Sequence, residues 1–85
     1  MGYSLYILRS KVSDKYYTGI SQNPEARLRY HNTLEKGFTS GYRPWEIVFV
    51  KEYPNKEQAQ RIEKKIKNWK SKIMIKRILT GETKV

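Results

Sequence analysis

Residues 3–21, YSLYILRSKVSDKYYTGIS, decide the architecture. Tyr3–Arg9 and Tyr16–Ile20 are dense in Tyr, Ile and Leu, while Ser10–Lys15 between them holds Ser and Asp. That is the pattern of a β-hairpin with a longish loop. In the second arm the strand period of two sends Tyr16, Thr18 and Ile20 to one face and Tyr17, Gly19 and Ser21 to the other. Glycine weakens a strand interior, so Gly19 predicts an open spot beside Tyr17 where a backbone could approach a ligand. The plainer alternative is a bulge, with Tyr17 packing in a half-buried sheet.

Downstream of the hairpin, Asn23–Pro24–Glu25 starts a helix. Asn23 can cap, Pro24 suits the first helical position and Glu25 favours the positive helix end. This helix is expected to run to about Leu34 and to stop before Gly37. The segment Glu35–Trp45, with Gly37, Gly41 and Pro44, is a long loop for a small domain and therefore a candidate functional element. Glu46–Tyr53 contains IVFV, apolar on both faces, which predicts a central strand covered on both sides. Asn55, with Gln58 three residues on, opens a second helix in capping-box spacing. Ala59, Ile62, Ile66 and Trp69 recur at helical intervals to about Trp69. A shorter helix through Ile73, Ile78 and Leu79 ends at Gly81. The expected order is β-β-α-β-α-α, a small α+β fold of three strands flanked by helices, as one domain over residues 1–85.

The 85 residues leave room for one modest core. Without cysteine the chain has no disulfide framework and no thiolate metal site. No segment is long and apolar enough to span a membrane, and MGYSLYILRS lacks a signal-peptide plan, so a cytoplasmic protein is expected. Lysine and arginine number 18 against 8 acids, a formal charge of +10. The excess gathers between Arg61 and Arg77, where Arg61, Lys64, Lys65, Lys67, Lys70, Lys72, Lys76 and Arg77 face a single acid, Glu63. Such a field attracts polyanions, nucleic acid first; the bland alternative is a solvated lysine-rich helix. An anionic membrane is the weaker partner, because no exposed Trp/Phe/Leu face is left once the core is filled.

Taken in order, LYIL at Leu5–Leu8, YYTGIS at Tyr16–Ser21 and ARLRYHN at Ala26–Asn32 resemble the GIY-YIG nuclease superfamily, most closely its small stand-alone bacterial members. The likeness covers nearly the whole chain, and its specificity lies in ordered spacing. It implies an antiparallel sheet and a set of five catalytic residues: Tyr6, Tyr17, Arg27, His31 and Glu63. Tyr17 takes the place of the family's general base, the first tyrosine of the second motif. A free phenol titrates near pKa 10, so this role needs neighbouring cations or a metal-bound water. Tyr6 fills the tyrosine position of the first motif, although the chain has LYI where the family has GIY. It is expected to orient water or phosphate, or else to pack in the core. Arg27, ten residues after Tyr17, matches the family arginine, which forks two N–H bonds onto a phosphate.

His31, four residues after Arg27, shares its helix face. The RLxxH likeness makes it a contact to phosphate or water and a candidate proton shuttle. Glu63 matches the family's metal-binding glutamate, a single carboxylate for Mg²⁺ or Mn²⁺; its plainer role is an ion pair with Lys67. A lysine common in the family just after the second-motif glycine is replaced here by Ile20. Nucleic-acid contacts are expected from Arg61, Lys64, Lys67, Lys70 and Lys72, and from Thr39, Tyr42 and Arg43 in the loop FTSGYRPW.

The resemblance thus implies a Mg²⁺-dependent endonuclease acting on DNA, with RNA as an open alternative polyanion and a protein partner as a source of specificity. Two other classes stay in view. One is a non-catalytic or partner-dependent nucleic-acid-binding module of the same fold. The other is a basic interaction protein with no nucleic-acid role.

Overall fold

A computed structural model describes residues 2–85. It runs β1 (Tyr3–Ser10), β2 (Tyr16–Ser21), α1 (Pro24–Thr33), a short 3-10 turn (Phe38–Tyr42), β3 (Trp45–Tyr53), α2 (Lys56–Trp69) and α3 (Lys72–Thr80). The expected β-β-α-β-α-α order holds, and the three-stranded sheet is antiparallel in the spatial order β2-β1-β3.

Each helix starts where its sequence says. The Asn23 side chain accepts the Ala26 N–H at 3.2 Å, and the Asn55 side chain accepts the Gln58 N–H at 2.9 Å, each satisfying a backbone donor of a first turn. Gly81 closes α3 at φ 85°, a backbone state that glycine adopts without steric cost. Ile73 does not join the core stripe of α3: it is 64% exposed, and Ile75 packs inward instead.

The sheet divides two cores, as strand parity requires. Leu5 and Ile7 of β1 face α2 and α3, meeting Ile66 and Ile78 with Tyr16, Ile20, Phe49 and Trp69 around them. Tyr6 and Leu8 face the other way, toward Trp45, Tyr17, Leu28, Tyr42 and Ile47. The central strand is therefore β1, whose residues Leu5–Leu8 are buried without a break.

This corrects the expectation for β3, which lies at a sheet edge. Its run IVFV misleads because pairing slips by one residue there: Ile7 faces Phe49 while Leu8 faces Ile47, so Val48 is the extra residue of a β-bulge. The bulge breaks the alternation and turns Val48 and Phe49 to the same core, with Ile47 on the opposite face. Val50, next along, is left 49% exposed.

Candidate active site

The site grows from the pairing of Tyr6 with Gly19 across β1 and β2. A Cβ on Gly19 would lie 2.6 Å from the Tyr6 hydroxyl oxygen and 2.7 Å from the ring carbon bearing it. Gly19 is therefore not a gap for a ligand. It is the floor on which the Tyr6 phenol rests, and that contact explains a glycine in mid-strand. Tyr17, on the same face, has its ring centroid 6.5 Å from that of Tyr6 and 4.7 Å from that of His31.

Burial pushes the Tyr6 hydroxyl above the ordinary phenol value; an Arg27 hydrogen bond and charge oppose this, while Tyr17 and Glu63 add to it. Tyr6 consequently stays a phenol at neutral pH. It is also the point where the whole predicted set meets, since Arg27, Tyr17 and Glu63 all act on it and His31 Nε2 lies 3.2 Å from its oxygen.

His31 is held neutral: burial lowers its pKa, and the Arg27 charge lowers it further. Its Nδ1 lies 3.1 Å from Thr39 Oγ1. With Nε2 as the acceptor of the ring, the Tyr6 O–H donates to His31 Nε2. The Nδ1–H of the same tautomer then donates to Thr39. A buried line of donors runs Tyr6, His31, Thr39, and the Arg27 charge acts on Tyr6 and His31 from beside it.

The expected direct contact of His31 with phosphate or water is not what the structure builds. The ring is 1% exposed and both nitrogens have protein partners, so His31 stands behind Tyr6 and orients it.

Arg27, half-buried on α1, lays its guanidinium carbon 4.5 Å from the Tyr30 ring centroid, a stack that fixes its plane. Glu63 comes from α2. Its side chain is 19% exposed and pairs with Lys67 at 3.3 Å. The Lys67 ammonium in turn lies 5.5 Å from the Tyr17 ring centroid. Ile20, where a lysine is common in the resembled family, belongs to the opposite core; a cation reaches Tyr17 from α2 instead.

The long loop is tied to the rest of the fold by internal contacts. Thr39 is buried against His31. Arg43 donates to the His31 carbonyl at 2.7 Å and to the Glu35 carbonyl. The Tyr42 carbonyl accepts the Ser10 hydroxyl at 2.7 Å, and the Tyr42 ring meets Trp45 edge-on. These three residues hold the loop to α1, β1 and β3. Asn32 and Trp45 escaped the sequence reading. Asn32 accepts the Trp45 N–H at 2.6 Å and donates to the Trp45 carbonyl at 3.1 Å, joining the end of α1 to the start of β3. The Trp45 indole N–H reaches the Thr39 carbonyl at 2.8 Å. Their only signal was position, an amide and a tryptophan bracketing the loop.

The family profile described as the GIY-YIG catalytic domain matches residues 2–77. The chain belongs to the GIY-YIG family. A UPF0213 protein of Oceanobacillus iheyensis is 42% identical over 64 residues, covering 74% of this chain and 73% of that protein. The structure-specific endonuclease subunit SLX1 of Debaryomyces hansenii is 41% identical over 69 residues, 72% of this chain but 20% of that protein. This chain thus spans about a fifth of the SLX1 protein it matches. The solution structure of a UPF0213 protein from Bacillus halodurans superposes with a TM-score of 0.60 at 27% identity, covering 94% of this chain and 84% of that one.

Around this GIY-YIG site the basic surface is split. Lys67 and Lys70 border a groove that ends at Tyr17. Arg61 and Lys64 line a separate depression with Glu57, and Arg61 pairs with Glu57 at 3.7 Å. For a metal, among the described residues no three His, Cys, Asp or Glu side chains are gathered. One hard carboxylate beside the phenols fits an ion such as Mg²⁺, which keeps several waters and takes one or two carboxylates. Among the described residues no helix is long and apolar enough to cross a membrane.

Proposed function

We propose that this chain is a divalent-metal-dependent endonuclease that hydrolyses phosphodiester bonds in DNA. The observation that carries this reading is the cluster of Tyr6, Tyr17 and His31 from two strands and α1, with the charges of Arg27 and Glu63 acting on Tyr6. Packing alone needs no such gathering of an arginine, a carboxylate and three proton-carrying rings.

In this reading Tyr17 first gives its proton to solvent and its deprotonated oxygen then accepts the proton of the attacking water as the water oxygen adds to phosphorus. Arg27 directs N–H donors at the phosphoryl oxygens where charge builds, its plane already set by Tyr30 and Tyr6. The bond to the leaving oxygen breaks, and that oxygen recovers a proton from solvent. Tyr6 remains protonated and holds Arg27 in place, with His31 and Thr39 fixing its O–H. Glu63 would hold Mg²⁺ or Mn²⁺, and the bound ion supplies charge neutralisation at the phosphate. Lys67 releases Glu63 for that role or shares it, and places positive potential beside the Tyr17 ring.

A second reading has its own support: the relative from Debaryomyces hansenii is named a subunit, and this chain spans only a fifth of it. A partner-dependent nucleic-acid-binding module of the same fold would bind without cutting alone. Cleavage of duplex, single-stranded, flapped and branched DNA with Mg²⁺, with Mn²⁺ and with chelator separates the two. Tyr17→Phe and Glu63→Gln should retain fold and binding and lose metal-dependent cutting. Arg27→Ala should slow cutting on the order of 10²–10³-fold. A parent that binds the panel tightly yet cuts none of it would establish the partner-dependent reading.

A further inference from the structure

Lys67 stands between the acid of the site and its tyrosine. On α2 it follows Glu63 by one turn, and its ammonium lies 3.3 Å from the Glu63 carboxylate. The same ammonium lies 5.5 Å from the centroid of the Tyr17 ring, and both residues border the open groove. A Glu–Lys pair at this spacing is ordinary on an exposed helix, but here the partners are unequal. The Glu63 side chain is 19% exposed and that of Lys67 is 50% exposed. A carboxylate so withdrawn from water needs a counter-charge. Among the described residues, Lys67 is its one ion-pair partner.

The base can leave this pair more easily than the acid. Lysine carries a strongly hydrated point charge on a flexible four-carbon stem, so its ammonium can swing toward the groove while the helix stays still. Glu63 is also the hard carboxylate that fits a divalent ion, and two cations on one carboxylate repel each other. Ile20 packs into the opposite core, so β2 brings no cation of its own to Tyr17.

We propose that Lys67 is a catalytic residue exchanged between two anions. It neutralises Glu63 in the metal-free protein, and it moves to the substrate phosphate beside Tyr17 once Glu63 is taken up by the divalent ion. Glu63 is neutralised in both states, whereas the phosphate receives the ammonium only when the metal is bound. Metal and DNA therefore tighten each other's binding through Lys67, by the same factor in each direction. This rests on the endonuclease reading above, with Glu63 as the metal ligand.

The test is a pair of binding measurements in the Tyr17→Phe background, where DNA stays uncut. Lys67→Met keeps the apolar stem and removes the charge; Lys67→Gln repeats the removal with a polar side chain. In Mn²⁺ titrations followed by electron paramagnetic resonance without DNA, both should bind Mn²⁺ about two- to fivefold more tightly, the effect of losing a competing ion pair. Lys65→Met removes equal charge from α2 at a lysine that lies over Trp69, and should leave Mn²⁺ affinity close to that of the parent. Once Glu63 is changed to Gln, Lys67→Met should no longer alter Mn²⁺ binding. In anisotropy titrations with duplex DNA at fixed ionic strength, Lys67→Met should weaken binding about tenfold in saturating Mn²⁺, the loss of one charge-assisted contact. In chelator, where Lys67 is committed to Glu63, the loss should be less than about twofold. Unchanged Mn²⁺ affinity in Lys67→Met, or an equal loss of DNA affinity with and without Mn²⁺, would overturn the exchange and leave the endonuclease reading intact. Undiminished Mn²⁺ binding in Glu63→Gln would instead remove the metal ligand on which both rest.

Discussion

Gly19 and His31 show how single residues set this site. Gly19 is occupied space in disguise: any side chain there must push the Tyr6 phenol away. Gly19→Ala should cost about 1–3 kcal/mol through overpacking and should also depress cutting, because Tyr6 is what aligns Arg27. Urea unfolding and the cleavage assay read the two effects separately; full activity in a folded Gly19→Ala protein would remove Tyr6 from the site. For His31 the sign of the pH effect follows from its lowered pKa. The unfolded chain takes up the imidazole proton first, so the stability due to His31 is complete above about pH 6.5 and is lost as pH falls through the folded value. The slope for one proton is at most about 1.4 kcal/mol per pH unit. Urea midpoints should drop between pH 7.5 and 5.5 in the parent and drop less in His31→Gln. Glu35, whose carboxylate the Gly37 amide holds below its ordinary range, enters only at lower pH.

Among the elements, the loop after α1 is bound into the fold by its own contacts. Its contacts converge on His31 and on Trp45, so it fixes the rear of the site while the open side is left to β2, α2 and the α2–α3 linker. Asn32 is the main fastener, with both halves of its amide bonded to the Trp45 backbone. Asn32→Ala removes both bonds to the Trp45 backbone, a loss of about 0.5–1.5 kcal/mol for each hydrogen bond. Thermal unfolding should register it as a clear fall in Tm. An unchanged Tm would mean that the contacts of Thr39, Tyr42 and Arg43 suffice to hold the loop. The β-bulge at Val48 works in the same direction: it lets β3 contribute Ile47 to the core beneath the site and Phe49 to the core on the other face.

For the molecule as a whole, the charge of +10 includes basic residues at two depressions of the surface. Lys15, Lys67, Lys70 and Lys72 ring the groove at Tyr17, while Arg61 and Lys64 lie at the separate depression. DNA affinity should fall with a log–log salt slope of about −0.9 for each duplex phosphate neutralised. Removing Lys70 and Lys72 together should flatten that slope, and removing Arg61 and Lys64 should alter it less. A slope that responds equally to both pairs would mean that DNA sees only net charge.

The sequence by itself determined the element order, the helix starts at Asn23 and Asn55 and the stop at Gly81, because caps and turns are local chemistry among neighbours in the chain. Strand parity likewise assigned Tyr17 and Gly19 to one face correctly. The gathering of Tyr6, Tyr17, Arg27, His31 and Glu63 was legible only through ordered motif resemblance, since no local rule connects residues so far apart. Tertiary structure alone decided that β1, not β3, is central, because the bulge that re-aims Val48 depends on a partner strand. It also decided that His31 is buried behind Tyr6, that Gly19 supports a ring and that the basic residues divide into two groups. Each of these depends on which side chain fills the space beside another, and that is settled by packing across the sheet rather than by sequence spacing.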